Sequence, residues 1–129
     1  MPHVLLIEDE AKLRLLYRNE LEIEGYDVSD VGTGAEALQV LEYEKIDAVV
    51  LDLRLPDMYG LQLLDNMLSR RRNLPIIINT AYDQFRENFH SWGAEAFVVK
   101  SSDLSELKNV LARVIPAAPS TFHHQLLIN

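Results

Sequence analysis

Residues 48–60 read AVVLDLRLPDMYG, an apolar run that ends at Asp52 and passes into a loop containing proline and glycine. A short, continuous apolar run is typical of a β-strand that is buried on both faces of a parallel sheet. Similar runs occupy residues 4–7, 76–78 and 96–99, and a shorter, less apolar one occupies residues 26–28. The sequence therefore predicts five strands, with the run before Asp52 as the third.

Segments with helical spacing of apolar residues separate these runs. Thr33 with Glu36, and Asp103 with Glu106, have the spacing of capping boxes, which begin helices. Asp83 is expected to cap a helix between the fourth and fifth strands. Alternating strands and helices predict parallel β-α-β units with right-handed crossovers. The predicted fold is an α/β, doubly wound, five-stranded parallel sheet flanked by five helices.

Length and composition indicate one cytoplasmic domain at residues 1–115, followed by a tail or linker stub at residues 116–129. Twelve basic and twenty acidic residues give a net charge of −8, which argues against a nucleic-acid-binding surface. The chain has no cysteine, which excludes disulfides, thiolate zinc sites and cysteine nucleophiles. The sequence shows no signal peptide and no apolar run long enough to cross a bilayer, so no membrane partner is expected.

Polar residues close the four strongest apolar runs, and the ends of parallel strands meet at one edge of a sheet, where ligands bind. These residues are Glu8 and Asp9, Asp52, Thr80 and Lys100. Clustered carboxylates repel one another unless a cation joins them, and Mg²⁺ prefers such oxygen ligands. A hydroxyl at Thr80 and a movable ammonium at Lys100 suit a phosphoryl oxygen.

Each of these residues also has an ordinary structural interpretation. An acidic residue at a strand end is commonly a turn residue or a helix cap, which applies to Glu8 and Asp9. Thr80 is a candidate cap for the predicted fourth helix, and Lys100 a candidate solvated surface charge. Their occurrence together at the ends of the proper strands favours a functional site.

Residues 3–115 resemble the receiver domains of bacterial two-component response regulators. The resemblance rests on the acidic pair after the first strand, the loop at residues 52–60, the Thr80-Ala81 step and Lys100 after the fifth strand. Phe97, three residues before Lys100, matches the family's aromatic switch position. The resemblance implies a flavodoxin-like sheet with the strand order 2-1-3-4-5.

The resemblance further implies that a histidine kinase or a histidine phosphotransfer protein donates a phosphoryl group to Asp52. Mg²⁺, with Mn²⁺ as the alternative ion, would be bound by Asp9, Asp52 and the backbone carbonyl of Arg54, with Glu8 assisting. Lys100 would pair with a phosphoryl oxygen, and the small side chain of Ala81 would leave room for the phosphoryl group.

The resemblance also implies a conformational switch. Thr80 would move toward the phosphoryl oxygen, and Phe97 would turn inward to fill the vacated space. The surface formed by the fourth helix, the fifth strand and the fifth helix would then change. A downstream protein partner, an output domain outside this chain or a second copy in a homodimer would bind that surface.

The sequence departs from the family pattern at two places. Ser101 follows Lys100 where most receivers carry proline after a cis peptide bond, and a cis bond before a non-proline residue costs about 3–4 kcal/mol. Arg54 and Tyr82, two residues after Asp52 and Thr80, are both large and flank the phosphoryl position. We hypothesise that they shield the acyl phosphate from water.

Four interpretations remain open at this stage. The chain is a receiver that acts through a separate partner, the receiver part of a longer regulator, or a pseudo-receiver that binds partners without phosphorylation. The fourth is a phosphatase with an aspartyl-phosphate intermediate, which usually needs a second aspartate two residues after the nucleophile. Arg54 occupies that position, so we expect a signalling domain and not an enzyme.

Overall fold

The computed structural model describes residues 1–115, so the predicted tail at residues 116–129 lies outside the described part of the chain. The strands are β1 (His3–Ile7), β2 (Asp27–Val31), β3 (Ala48–Leu51), β4 (Ile76–Thr80) and β5 (Ala96–Val99). The helices are α1 (Ala11–Ile23), α2 (Gly34–Tyr43), α3 (Gly60–Arg70) and α4 (Ser105–Val114). None of these helices is long and apolar enough to cross a membrane.

The five strands form one parallel sheet in the order β2-β1-β3-β4-β5, which confirms the predicted topology. Strand β1 lies inside the sheet, because Val4 pairs with Val28 on one side and with Ala48 on the other. The carboxyl ends of β1, β3, β4 and β5 therefore meet at the same edge.

The sheet separates two apolar layers, because successive side chains of a strand point to opposite faces. Val4 and Leu6 pack in the layer that contains α1 and α4. Leu5 and Ile7 pack in the layer that contains α2 and α3. This double coverage explains why the strands are continuous apolar runs, and it holds the strand ends rigidly in place.

The predicted helix after Asp83 is not an α-helix. Asp83–Phe85 is a single 3-10 turn, and further backbone hydrogen bonds up to Gly93 join residues three apart. The Asp83 side chain does not cap a helix but accepts a hydrogen bond from Arg86. Several residues of this segment, such as Asn88 and Ser91, favour turns over helix interiors. The described residues thus contain four α-helices where five were predicted.

The two predicted capping boxes have different outcomes. Thr33 Oγ1 accepts the Glu36 backbone N–H at 3.1 Å, and this confirms the start of α2. Asp103 instead accepts the Ser105 N–H at 2.9 Å, ahead of a helix whose N-cap is Leu104. The predicted box between Asp103 and Glu106 is therefore wrong, although Asp103 does support the start of α4.

Candidate functional site

The carboxyl edge of the sheet contains a cleft of about 410 Å³. Its lining residues are Glu8, Asp9, Glu10, Asp52, Arg54, Ala81, Tyr82 and Lys100. Glu8 and Asp9 follow β1, Asp52 follows β3, and Lys100 follows β5. Residues that are distant in the sequence thus meet where the alternation of strands and helices predicted.

Three carboxylates share this cleft. Glu8, Asp9 and Asp52 each offer an oxygen, and these oxygens lie within 4.8 Å of one another. Glu8 and Asp52 are only 2% and 6% exposed, whereas Asp9 is exposed. Carboxylates at this spacing repel one another, so the cleft favours a bound cation.

Lys100 supplies one positive charge to this cluster. Its Nζ lies 2.8 Å from Asp52 Oδ2 and 2.6 Å from Glu8 Oε1. Burial by itself lowers the pKa of the Lys100 ammonium, but the contacts with Asp52 and Glu8 outweigh burial and raise that pKa. The Lys100–Ser101 peptide bond is trans in this arrangement.

Glu8 is the most constrained of the acidic residues. Burial raises the pKa of its carboxyl group above the ordinary 4.5, although contacts with Lys100 and the Glu10 backbone oppose this. Its Oε2 accepts the Glu10 N–H at 3.0 Å. Its Oε1 is buried and accepts no well-directed hydrogen bond within residues 1–115, so its short contact with Lys100 is a simple ion pair. A buried oxygen with a free lone pair suits a hard divalent cation.

Asp52 is held in place by two contacts of different kinds. Its Oδ1 accepts the Arg54 backbone N–H at 3.2 Å, and its Oδ2 accepts a hydrogen bond from Lys100. The first contact ties the carboxylate to the loop that follows β3. The second keeps a cation at the oxygen that faces Glu8.

Three further predicted site residues lie at the end of β4 and directly after it. Thr80 is fully buried, and its Oγ1 accepts a long hydrogen bond of 3.4 Å from the Tyr82 N–H. Ala81 lines the cleft, as does Tyr82, whose ring lies under the Arg54 guanidinium at 4.8 Å from centroid to Cζ. Arg54 and Tyr82 therefore form one wall of the cleft.

Phe97 points into the protein and is 5% exposed. Its ring lies 5.9 Å from that of Phe89, and the Arg86 guanidinium lies 5.2 Å from its centroid. Phe97 on β5 therefore contacts the 3-10 segment, which occupies the place of the predicted fourth helix.

Several residues that support the site were not found from the sequence. Arg14 donates to the Glu8 carbonyl oxygen at 2.8 Å and to Asp30 at 3.2 Å. Tyr17 lies near the side chain of Asn79, and burial raises the pKa of its phenol group. Asp57 accepts two N–H groups at the start of α2. Most of these partners are 16 or more positions away in the sequence, and the local signal was the polar Asn79 within an apolar strand.

Comparison with known proteins gives one consistent result. Residues 4–112 match the family described as "Response regulator receiver domain". The Luminescence regulatory protein LuxO of Vibrio campbellii is 32% identical over 115 residues, which are 88% of this chain and 25% of LuxO. The Sporulation initiation phosphotransferase F of Bacillus subtilis is 29% identical over 88% of this chain and 93% of its own length.

Solved structures agree with this match. The response regulator protein TrrA of Thermotoga maritima, in complex with Mg(2+)-BeF, has a TM-score of 0.83 at 33% identity, over 88% of this chain and 99% of TrrA. A second TrrA structure is a complex with the histidine kinase ThkA. This chain thus spans about a quarter of LuxO but nearly all of phosphotransferase F and of the TrrA chain.

Proposed function

The chain belongs to the response regulator receiver domain family, a family of signalling domains, and we propose that Asp52 accepts a phosphoryl group from a histidine kinase or histidine phosphotransfer protein. The observation that carries the proposal is the position of Asp52. Its carboxylate lies at the end of β3, in a cleft with two further carboxylates and the Lys100 ammonium. The TrrA complex with a histidine kinase supports a donor of this class.

In the proposed reaction, an Asp52 carboxylate oxygen attacks the phosphorus atom of a phosphohistidine. The new O–P bond forms as the P–N bond breaks, and the departing imidazole takes a proton from water. Lys100 lies beside the attacking carboxylate and balances its negative charge. Such a transfer depends mainly on in-line positioning and charge stabilisation, which a rigid sheet edge provides.

The donor set of the cleft fits Mg²⁺, with Mn²⁺ as an alternative. Asp9, Asp52 and the Arg54 carbonyl would hold the ion, and the buried Oε1 of Glu8, which forms an ion pair with Lys100 in this structure, would assist. When bound, the ion neutralises the carboxylates and the incoming phosphoryl charge. The TrrA structure with Mg(2+)-BeF supports this assignment.

Lys100 would then exchange partners. In this structure it bridges Glu8 and Asp52, and in the phosphorylated state we place it on a phosphoryl oxygen. Its flexible stem permits this movement. Ala81, which lines the cleft, leaves room for the phosphoryl group.

The proposed output is a change in the face formed by residues 83–93, β5 and α4. Thr80 would turn from Tyr82 toward the phosphoryl group. Phe97, expected to turn inward, already points into the protein against Phe89, so its proposed change is a shift within this packing. A partner or a second copy that prefers the changed face would stabilise it, by no more than its differential affinity.

Two contexts for this output remain, and each has a relative that supports it. The length shared with phosphotransferase F supports a receiver that acts through a separate protein. The short share of LuxO supports residues 1–115 as the receiver of a longer regulator, with residues 116–129 as a linker. In both contexts we propose a cytoplasmic protein without nucleic-acid or membrane contacts of its own.

Mass spectrometry after incubation with acetyl phosphate and Mg²⁺ tests the proposal. We expect wild type to gain one phosphoryl group, and this gain to disappear in Asp52→Asn and on chelation of Mg²⁺. Asp65→Asn, an exposed aspartate on α3, is the matched control and should be phosphorylated like wild type. No gain in wild type would leave a pseudo-receiver and contradict the proposal.

A further inference from the structure

Asp57 is joined to a helix that takes no part in the cleft. Its Oδ1 accepts the Gly34 N–H at 2.8 Å, and its Oδ2 accepts the Ala35 N–H at 3.0 Å. These are the first two N–H groups of α2, which have no partner within the helix. The carboxylate therefore also meets the positive end of the helix dipole.

The next N–H groups of this helix already have local partners. Thr33 Oγ1 accepts the Glu36 N–H at 3.1 Å, and the Thr33 carbonyl accepts the Ala37 N–H at 3.1 Å. Asp57 thus completes the cap of α2 from a loop on a different strand. The backbone N–H groups of Gly34 and Ala35 lower the pKa of the Asp57 carboxyl group, so the contact is made by a carboxylate.

The loop that carries Asp57 is the one that follows Asp52. Its base is closed by the hydrogen bond from the Gly60 N–H to the Leu53 carbonyl at 3.0 Å and by a bridge between Arg54 and Tyr59. Its tip also touches α2. There Met58 packs so closely on Gly34 that a Cβ at Gly34 would lie 2.5 Å from Met58 Sδ.

We propose that Asp57 is a positioning residue for the metal-binding loop, which it clamps to α2 so that the Arg54 carbonyl is presented to the cation. The inference rests on the proposed function, in which that carbonyl is a ligand. Because α2 packs on the sheet through buried Ala37 and Leu41, the clamp transmits the rigidity of the sheet to the loop. A loop closed at its base but without the clamp at its tip would lose more conformational freedom when it binds the ion.

The test is the Mg²⁺ dissociation constant of the full 129-residue chain, measured from amide shifts of ¹⁵N-labelled protein. We expect Asp57→Ala to raise this constant about threefold to tenfold, the range of one or two lost hydrogen bonds. Asp57→Asn keeps one acceptor oxygen and should lie between Asp57→Ala and wild type. Asp57 is exposed, so these variants should fold.

Thr33→Ala is the matched control, because it removes a cap from the same helix end and leaves the loop untouched. It should lower stability without changing the Mg²⁺ dissociation constant. A wild-type constant in Asp57→Ala, or an equal change in Thr33→Ala, would overturn the clamp while wild-type phosphorylation persists. Absence of Mg²⁺-dependent phosphorylation in wild type would instead overturn the proposed function, and the clamp with it.

Discussion

The Arg54 guanidinium carbon lies 4.8 Å from the centroid of the Tyr82 ring, and the two side chains form one wall of the cleft that contains Asp52. This contact joins the loop after β3 to the loop after β4. A stacked cation and ring at this distance attract each other and restrict access by water.

We therefore predict that Arg54→Ala and Tyr82→Ala accelerate loss of the phosphoryl group from Asp52. A fivefold effect would equal a change of about 1 kcal/mol in the activation barrier, and we expect about threefold to tenfold. The measurement is the decay of phosphorylated protein by mass spectrometry. Tyr82→Phe keeps the ring and should behave like wild type, as should Tyr59→Ala at a residue that is 83% exposed. Equal lifetimes in all four variants would remove the shielding hypothesis.

Because Lys100 bridges Glu8 and Asp52, we predict that its removal lowers stability and that Mg²⁺ restores the loss. In Lys100→Met, Glu8 and Asp52 lose the cation that lies within 2.8 Å of both. Removing one partner of a buried ion pair costs about 3–5 kcal/mol, and we expect about 2–3 kcal/mol because Lys100 is partly exposed. Urea unfolding in EDTA and in saturating Mg²⁺ measures the loss and its recovery.

Lys108→Met is the control for this experiment. It removes an ion pair with Glu20 at the same 2.8 Å, but on the surface and far from the cleft. Its smaller effect should be the same with and without Mg²⁺. A defect in Lys100→Met that Mg²⁺ leaves unchanged would show that the ammonium does not stand in for a cation.

Because the carboxyl group of Glu8 is buried, we predict that it makes the free energy of unfolding depend on pH. Burial raises its pKa above 4.5, so the folded protein binds this proton more tightly than the unfolded chain does. The associated stability is present below pH 4.5 and is lost as pH rises through the folded-state pKa. Without metal, the free energy of unfolding of Glu8→Gln should therefore increase relative to wild type as pH rises through this window.

Asp103→Asn provides a control of opposite sign for the pH experiment. Hydrogen bonds from Ser105 lower the pKa of Asp103, so its contribution is present above the ordinary pKa of 3.8 and is lost as pH falls. Parallel stability curves for wild type and Glu8→Gln across the acidic range would show that burial does not destabilise the Glu8 carboxylate.

Gly60 closes the loop after β3, and its surroundings leave no room for a side chain. A Cβ at Gly60 would lie 2.5 Å from Leu53 Cα and 2.7 Å from the Leu53 carbonyl oxygen, which are backbone atoms that cannot yield locally. Gly60→Ala should cost about 1–3 kcal/mol in stability and slow phosphorylation of Asp52. Gly25→Ala, at a φ of +99° with no atom near its Cβ, should cost about 1 kcal/mol and leave phosphorylation unchanged. Equal phosphorylation rates in both variants would contradict this role of Gly60.

The strands and the residues at their ends were predictable because they depend on local composition. A strand buried on both faces must be apolar throughout, and it must turn polar where it leaves the sheet. The runs before Glu8, Asp52 and Lys100 satisfy both conditions, so the order of elements was sufficient to place these residues at one edge. The roles assigned to them remain proposals.

The segment at residues 83–93 shows where local patterns fail. Aromatic residues at helical spacing predicted an α-helix, but the backbone forms 3-10 type hydrogen bonds. Phe89 packs on Phe97 of β5, a tertiary contact that helical spacing within the segment does not reveal. The exposure of Asp9 and the burial of Glu8 were equally hidden, because adjacent residues at a strand end look alike in the sequence.

The sequence by itself determined the α/β class, the five strands and the identity of the residues at the sheet edge. Only the tertiary structure decided that Lys100 bridges Glu8 and Asp52, that Arg54 stacks on Tyr82, and that Asp57 caps α2. The physical reason is the distance along the sequence over which each interaction acts. Apolar periodicity acts between residues a few positions apart, whereas ion pairs, stacking and this cap join residues 22 to 92 positions apart that meet only after the sheet has formed.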